Sequence, residues 1–175
     1  MRGWLRWKIG VCVIGGAAWS TALAAQGAPA KAAGSAADVC ALATDEEFQR
    51  SQGIDPRIGL IPSTPVATQM VWGPHCDYGP GSIDLFTEKS PNAELERVLA
   101  LMQATKKRDA IQGLGPRAFF TVIYPDDQYR ERGLIALYIG SKIVTLSMDP
   151  RGEESPESTR PKLEGLAKLV LPRLK

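Results

Sequence analysis

Two stretches of this chain carry apolar residues at helical spacing, and several others alternate like strands. Leu95, Val98, Leu99 and Met102 stand at i, i+3, i+4 and i+7, behind Ser90-Pro91, a serine cap followed by proline at the first helical position. Leu163, Leu166, Ala167, Val170 and Leu174 form a second stripe after Ser155-Pro156, with Pro161 and Pro172 blurring its ends. A third helix is predicted near residue 37 and resumes after a break. There Thr44 and Glu47 fit a capping box, Leu42 and Phe48 are the apolar anchors, and Gly53 is a natural stop.

Strand patterns fall at residues 82–88, 118–123, 134–139 and 142–148, and the last two are joined by the tight Gly140-Ser141 connection. Residues 69–72 read as strand, with a continuation at Asp77-Tyr78 beyond the Gly73-Pro74 interruption. Residues 55–68 hold three prolines and no period, and read as an irregular loop. Helix, strands, helix, strands, helix is the order of an α+β domain. The expectation is two layers, with a mainly antiparallel sheet and N-terminal, middle and C-terminal helices covering at least one face.

The first 25 residues do not belong to that pattern. Arg2, Arg6 and Lys8 precede an apolar run, and Ala22-Leu23-Ala24 suits cleavage, so residues 1–25 read as a signal peptide, with an uncleaved anchor as the alternative. Val11 before Cys12 is wrong for a lipobox, and lipidation is rejected. Residues 26–37, rich in Ala, Gly and Pro, read as a flexible linker, and 38–175 as a single domain. The expected location is periplasmic or secreted.

Losing the leader changes the charge. Of 21 basic residues three leave with it, so 18 face 19 acidic ones and the net becomes −1. Nothing then argues for nucleic acid, nor for a membrane once the leader is gone. The basic cluster Lys106-Lys107-Arg108 reads as the end of the middle helix, where cations suit the helix dipole.

Export also leaves two cysteines, Cys40 and Cys76, in an oxidising space, where a disulfide is the default reading; a metal pair or a reactive thiol are the alternatives. His75, the single histidine, reads as a surface residue at a strand entry, since a metal would need three or four ligands. No metal and no cofactor are expected. Trp72 reads as packing near the disulfide. Asp126-Asp127 and Glu153-Glu154 look like solvated turn residues, and Gly113-Leu114-Gly115-Pro116 lacks the lysine of a phosphate loop.

Three motifs together resemble a known family. They are Asp38-Val39-Cys40-Ala41-Leu42-Ala43-Thr44 followed by Glu47, Gly73-Pro74-His75-Cys76-Asp77-Tyr78, and Gly113-Leu114-Gly115-Pro116-Arg117-Ala118. They are similar to small exported proteins of unknown function that include surface lipoproteins and resemble the extracytoplasmic sensor domain of some membrane Ser/Thr kinases. The chain departs from that pattern at Pro116, where an acidic residue is expected, and in lacking a lipobox. The resemblance implies a helix-to-strand disulfide and a non-catalytic role in binding a ligand or partner. It supplies no catalytic residues.

The expected function is therefore an exported, non-enzymatic binding domain for an unknown protein or small ligand. The alternatives are a periplasmic inhibitor or immunity-type protein, and a small hydrolase if His75, Asp126 and Glu131 were to meet in a pocket. The expected contact surface is the connection 124–132. There Tyr124, Asp126, Asp127, Tyr129, Arg130 and Arg132 combine aromatic and charged groups favoured at interfaces.

Overall fold

A computed structural model describes residues 36–55, 64–87, 90–105, 107–124 and 130–174. These belong to one unit that begins at residue 32. The leader and nearly all of the linker lie outside the described residues. No helix among the described residues is long and apolar enough to cross a membrane.

Helix α1 is Ala36–Cys40 and α2 is Asp45–Ser51. The capping box at α2 is complete: the Glu47 amide donates to Thr44 Oγ1 at 3.2 Å and the Thr44 amide donates to Glu47 Oε2 at 2.9 Å. Thr44→Ala should therefore lower the unfolding free energy by about 1 kcal/mol in urea denaturation. An unchanged midpoint would mean that the cap contributes nothing to stability. Glu47 also receives Arg173, at 2.6 and 2.7 Å, and this bond holds its carboxyl down to about 2.

Among the described residues seven strands form one antiparallel sheet: β1 Val66–Met70, β2 Gly73–Asp77, β3 Gly81–Phe86, β4 Asp109–Ala110, β5 Arg117–Ile123, β6 Arg132–Ile139 and β7 Lys142–Met148. Their order is β1-β2-β3-β7-β6-β5-β4, so two meanders meet where β3 pairs with β7. Helix α3 is Pro91–Leu101. Helix α4, Arg160–Val170, follows a 3₁₀ turn over Pro156–Thr159. Gly140 has φ 58°, which the tight β6–β7 hairpin requires. The fold is α+β, with helices at the N-terminus, the middle and the C-terminus.

The helices divide between the two faces of the sheet. One face carries Ile83, Leu85, Ile135, Leu137, Val144 and Leu146 against Val39, Phe48, Leu163, Leu166 and Val170 of α1, α2 and α4. The opposite face carries Phe86, Phe119, Leu134, Ala136 and Ile143 against Leu95, Val98 and Leu99 of α3. Ser90 makes no side-chain cap bond at α3. Burial holds this helix instead, since three buried aliphatics at about 2 kcal/mol each outweigh a cap of about 1 kcal/mol.

Cys40 and Cys76 form a disulfide, with Cα atoms 5.2 Å apart, and it joins α1 to β2. Both sulfurs are thereby consumed, which removes the metal and thiol alternatives. Beside it Tyr78 stacks on Phe48 at 4.4 Å between ring centroids, and its hydroxyl donates to the Ala43 carbonyl at 2.9 Å. Burial pushes that phenol up to about 12.

Four sequence expectations change. Residues 66–68, read as loop, belong to β1, an edge strand exposed along nearly its whole length, so it has no buried face to impose a period. Gly73-Pro74 does not interrupt the strand but begins β2. Gly73 has φ 140°, and a Cβ there would fall on the Leu85 carbonyl oxygen. The middle helix stops at Leu101 because Gln103 turns the chain at φ 46°. Lys107 and Arg108 therefore lie past the helix end. Arg108 reaches back to Glu96 with two bonds of 2.6 Å, and Lys107 pairs with Asp109; Lys106 is outside the described residues. Finally, Trp72 packs away from the disulfide, stacking on Phe86 on the α3 face.

Candidate binding site

Strand register brings a set of polar side chains together under α3. His75 faces Asp84 across β2 and β3, Asp84 faces Thr145 across β3 and β7, and Ser82 faces Ser147. The alternation of β3 and β7 sends all of these to the α3 face. The alternation along 82–88 reads as a half-buried strand, yet in β3 and β7 the side that carries Ser82, Asp84, Thr145 and Ser147 is covered. Ser82 is 7%, Asp84 8%, Thr145 2% and Ser147 3% exposed.

Asp84 is the centre of the cluster. Its Oδ1 accepts from His75 Nδ1 at 2.7 Å and from Trp72 Nε1 at 3.2 Å. Its Oδ2 accepts from Ser82 Oγ at 3.1 Å and from Thr145 Oγ1 at 3.3 Å. Two carboxylate oxygens offer about four acceptor directions, so four donors fill them. Ser82 and Ser147 share a further hydroxyl–hydroxyl bond of 3.0 Å.

Above this floor lies a cavity of about 150 Å³. Trp72, Phe86, Leu95, Val98, Leu99 and Met102 make its apolar wall, and Arg132 stands at its edge. The site is thus an apolar chamber with one polar side, the general form of small-ligand pockets. A second cavity of about 150 Å³ lies on the other face, lined by Val39, Leu42, Leu85, Val144 and Leu174 with Arg173. Its arginine is already held by Glu47 and the Leu42 carbonyl.

His75 is not the surface residue that its position suggests, since its side chain is only 21% exposed. The hydrogen bond that it donates to Asp84 raises its pKa above the usual histidine value. Burial opposes this, the Asp77 charge adds to it and Arg132 subtracts from it. A raised folded-state pKa means that the charged pair contributes its full stability below the unfolded value of about 6.5. That contribution fades as pH rises through the folded value. The stability difference between the native protein and His75→Gln, measured in urea, should be largest near pH 6 and shrink toward alkaline pH. A difference that grows with pH would refute the pairing.

The expected contact residues are distributed as follows. Arg132 pairs with Asp149 at 2.5 Å and borders the cavity. Arg130 donates to the Gly152 carbonyl at 2.7 Å. Tyr124 packs partly against the core of the α1, α2 and α4 face, and its amide donates to the Met102 carbonyl at 2.7 Å. Asp126, Asp127 and Tyr129 lie outside the described residues. The structure therefore brings Arg132 to the cavity with His75, a meeting of residues 57 positions apart in the sequence.

Sequence reading missed Ser82, Asp84, Thr145 and Ser147. The available signal was the number of apolar helical stripes. Three helices crowd one face, so the fourth can bury its stripe only on the other, which traps that face's polar residues. Among the described residues no group of three or more His, Cys, Asp or Glu could hold a metal ion. Comparison with protein-family models, curated proteins and solved structures finds no match to this chain, so the resemblance of the three motifs stands as a sequence expectation and the site is read from its own geometry.

Proposed function

We propose that the protein is an exported binding domain without catalytic chemistry of its own, and that the cavity under α3 is where it holds its ligand. The leader pattern and the disulfide support export. The observation that carries the binding reading is the saturated carboxylate of Asp84. Four protein donors occupy it, so it orders the polar side of the cavity and keeps no free acceptor direction with which to take a proton from a ligand.

A nucleophilic serine also needs its hydroxyl on the imidazole. Here Ser82 bonds Asp84 and Ser147, and among the described residues no serine bonds His75. The test is native mass spectrometry of protein isolated from its exporting host, beside Val98→Phe, which fills the cavity. A small-molecule adduct present in the native protein and absent from the variant supports the reading. An adduct equally present in both places the ligand elsewhere.

The 2.7 Å His75–Asp84 pair favours one second reading, a small hydrolase. It predicts labelling of Ser82 or Ser147 by a fluorophosphonate probe, lost in His75→Ala. No labelling of folded protein would dismiss it.

A further inference from the structure

The direction of each proton in the cluster follows from Asp84. An ionised carboxylate only accepts, and a serine or threonine hydroxyl has one proton to give. Ser82 and Thr145 both give theirs to Asp84 Oδ2. The 3.0 Å bond between Ser82 and Ser147 must then be donated by Ser147. Ser147 has spent its proton, and what it retains is lone pairs. Trp72 Nε1–H and His75 Nδ1–H are likewise turned to Asp84. The three hydroxyls of the floor are therefore acceptors, whereas the second N–H of a charged His75 lies beside them, and it is the hydroxyls that call for a donor.

Size and charge narrow the class further. A cavity of this volume holds roughly one benzene-sized ring, judged by an engineered apolar cavity of similar volume that binds benzene. There is no room in it for the peptide backbone that would deliver a partner's side chain. The charges beside it cancel: His75 faces Asp84 at 2.7 Å and Arg132 faces Asp149. A charged ligand would lose its hydration and meet no unpaired opposite charge.

Building on the binding reading above, we infer that the cavity takes a free, neutral, compact aromatic molecule of about six to eight non-hydrogen atoms bearing one hydroxyl or N–H donor, with that donor seated on Ser147 Oγ. Phenol is the simplest member of the class. The apolar wall of Trp72, Leu95, Val98 and Leu99 takes the ring, and the acceptor floor takes the proton.

The experiment is an amide NMR titration of the mature protein with five probes: phenol, toluene, benzoate, benzylammonium and N-acetyltyrosinamide. Phenol should bind with a dissociation constant of about 1 mM or below, as a seven-atom ligand allows. Toluene should bind about five- to ten-fold more weakly, the worth of one net hydrogen bond.

Ser147→Ala is the informative variant, because removing an acceptor orphans no donor: Ser82 keeps its bond to Asp84. In that variant phenol should fall to the level of toluene, with toluene unchanged. Val98→Phe should exclude both. Toluene, benzoate or benzylammonium matching phenol in the native protein would overturn the ligand class and leave the cavity as a binding site. N-acetyltyrosinamide binding more tightly than phenol would overturn the free-molecule form in favour of a partner's side chain. Absence of any shift at cavity residues with every probe, up to about 10 mM, would overturn both the class and the binding reading.

Discussion

Asp84→Ala is expected to lower the unfolding free energy by about 3–5 kcal/mol, the largest effect of any single substitution considered for this protein. The carboxylate terminates four hydrogen bonds in a place that water reaches poorly. Its removal leaves Trp72 Nε1–H and the imidazolium of His75 facing a gap, and breaking a buried charged pair costs more than the pair contributes.

Asp84→Asn should cost roughly half as much. Its carbonyl oxygen can keep Trp72 and His75, while its NH₂ group turns to Ser82 and Thr145, whose hydroxyls rotate to accept. Chemical denaturation followed by near-ultraviolet circular dichroism would report both values, with Trp72 as the local probe. Loss of less than about 1 kcal/mol for the alanine variant would mean that water replaces the carboxylate, and that the cluster does not organise the α3 face.

The disulfide is the second large term. Replacing both Cys40 and Cys76 by alanine should cost about 4 kcal/mol, since the bond closes a loop of 36 residues in the unfolded chain. The loss should be uneven across the native state. Helix α1 has five residues, too few to persist by itself, and the disulfide anchors it to β2.

Tyr78 still donates to the carbonyls of Cys40 and Ala43, so part of the attachment survives. Amide exchange at 39–43 should accelerate well beyond that of β6 and β7, which are paired on both sides in the centre of the sheet. Uniform acceleration would mean that the bond acts on the unfolded chain alone. A stability change under about 1 kcal/mol would mean that strain cancels the gain.

Some of this was determined by the chain alone, because it depends on neighbours in sequence. The capping box needs only Thr44 and Glu47 three residues apart, and it formed as the pattern implies. Gly140-Ser141 sets a two-residue turn, and β7 occupies the predicted 142–148. The stripes of α3 and α4 announce helices with one buried face, and strand alternation with three predicted helices leads to an α+β fold. The disulfide is the default reading of two cysteines behind a leader-like pattern, and Cys40 and Cys76 are paired in the structure.

Tertiary structure decided which faces those stripes would cover. Alternation along 82–88 shows that Ser82 and Asp84 share a side, but the same alternation suits a side open to water or one under a helix. Only the placement of α3 opposite α1, α2 and α4 turns that side inward, and with it Thr145 and Ser147 from β7. Register across three strands then joins His75, Asp84 and Thr145, residues separated by up to 70 positions, at hydrogen-bonding distance. Hydrogen bonds act over about 3 Å, whereas sequence patterns report only the period of burial, so a polar cluster assembled from separate strands leaves no local trace.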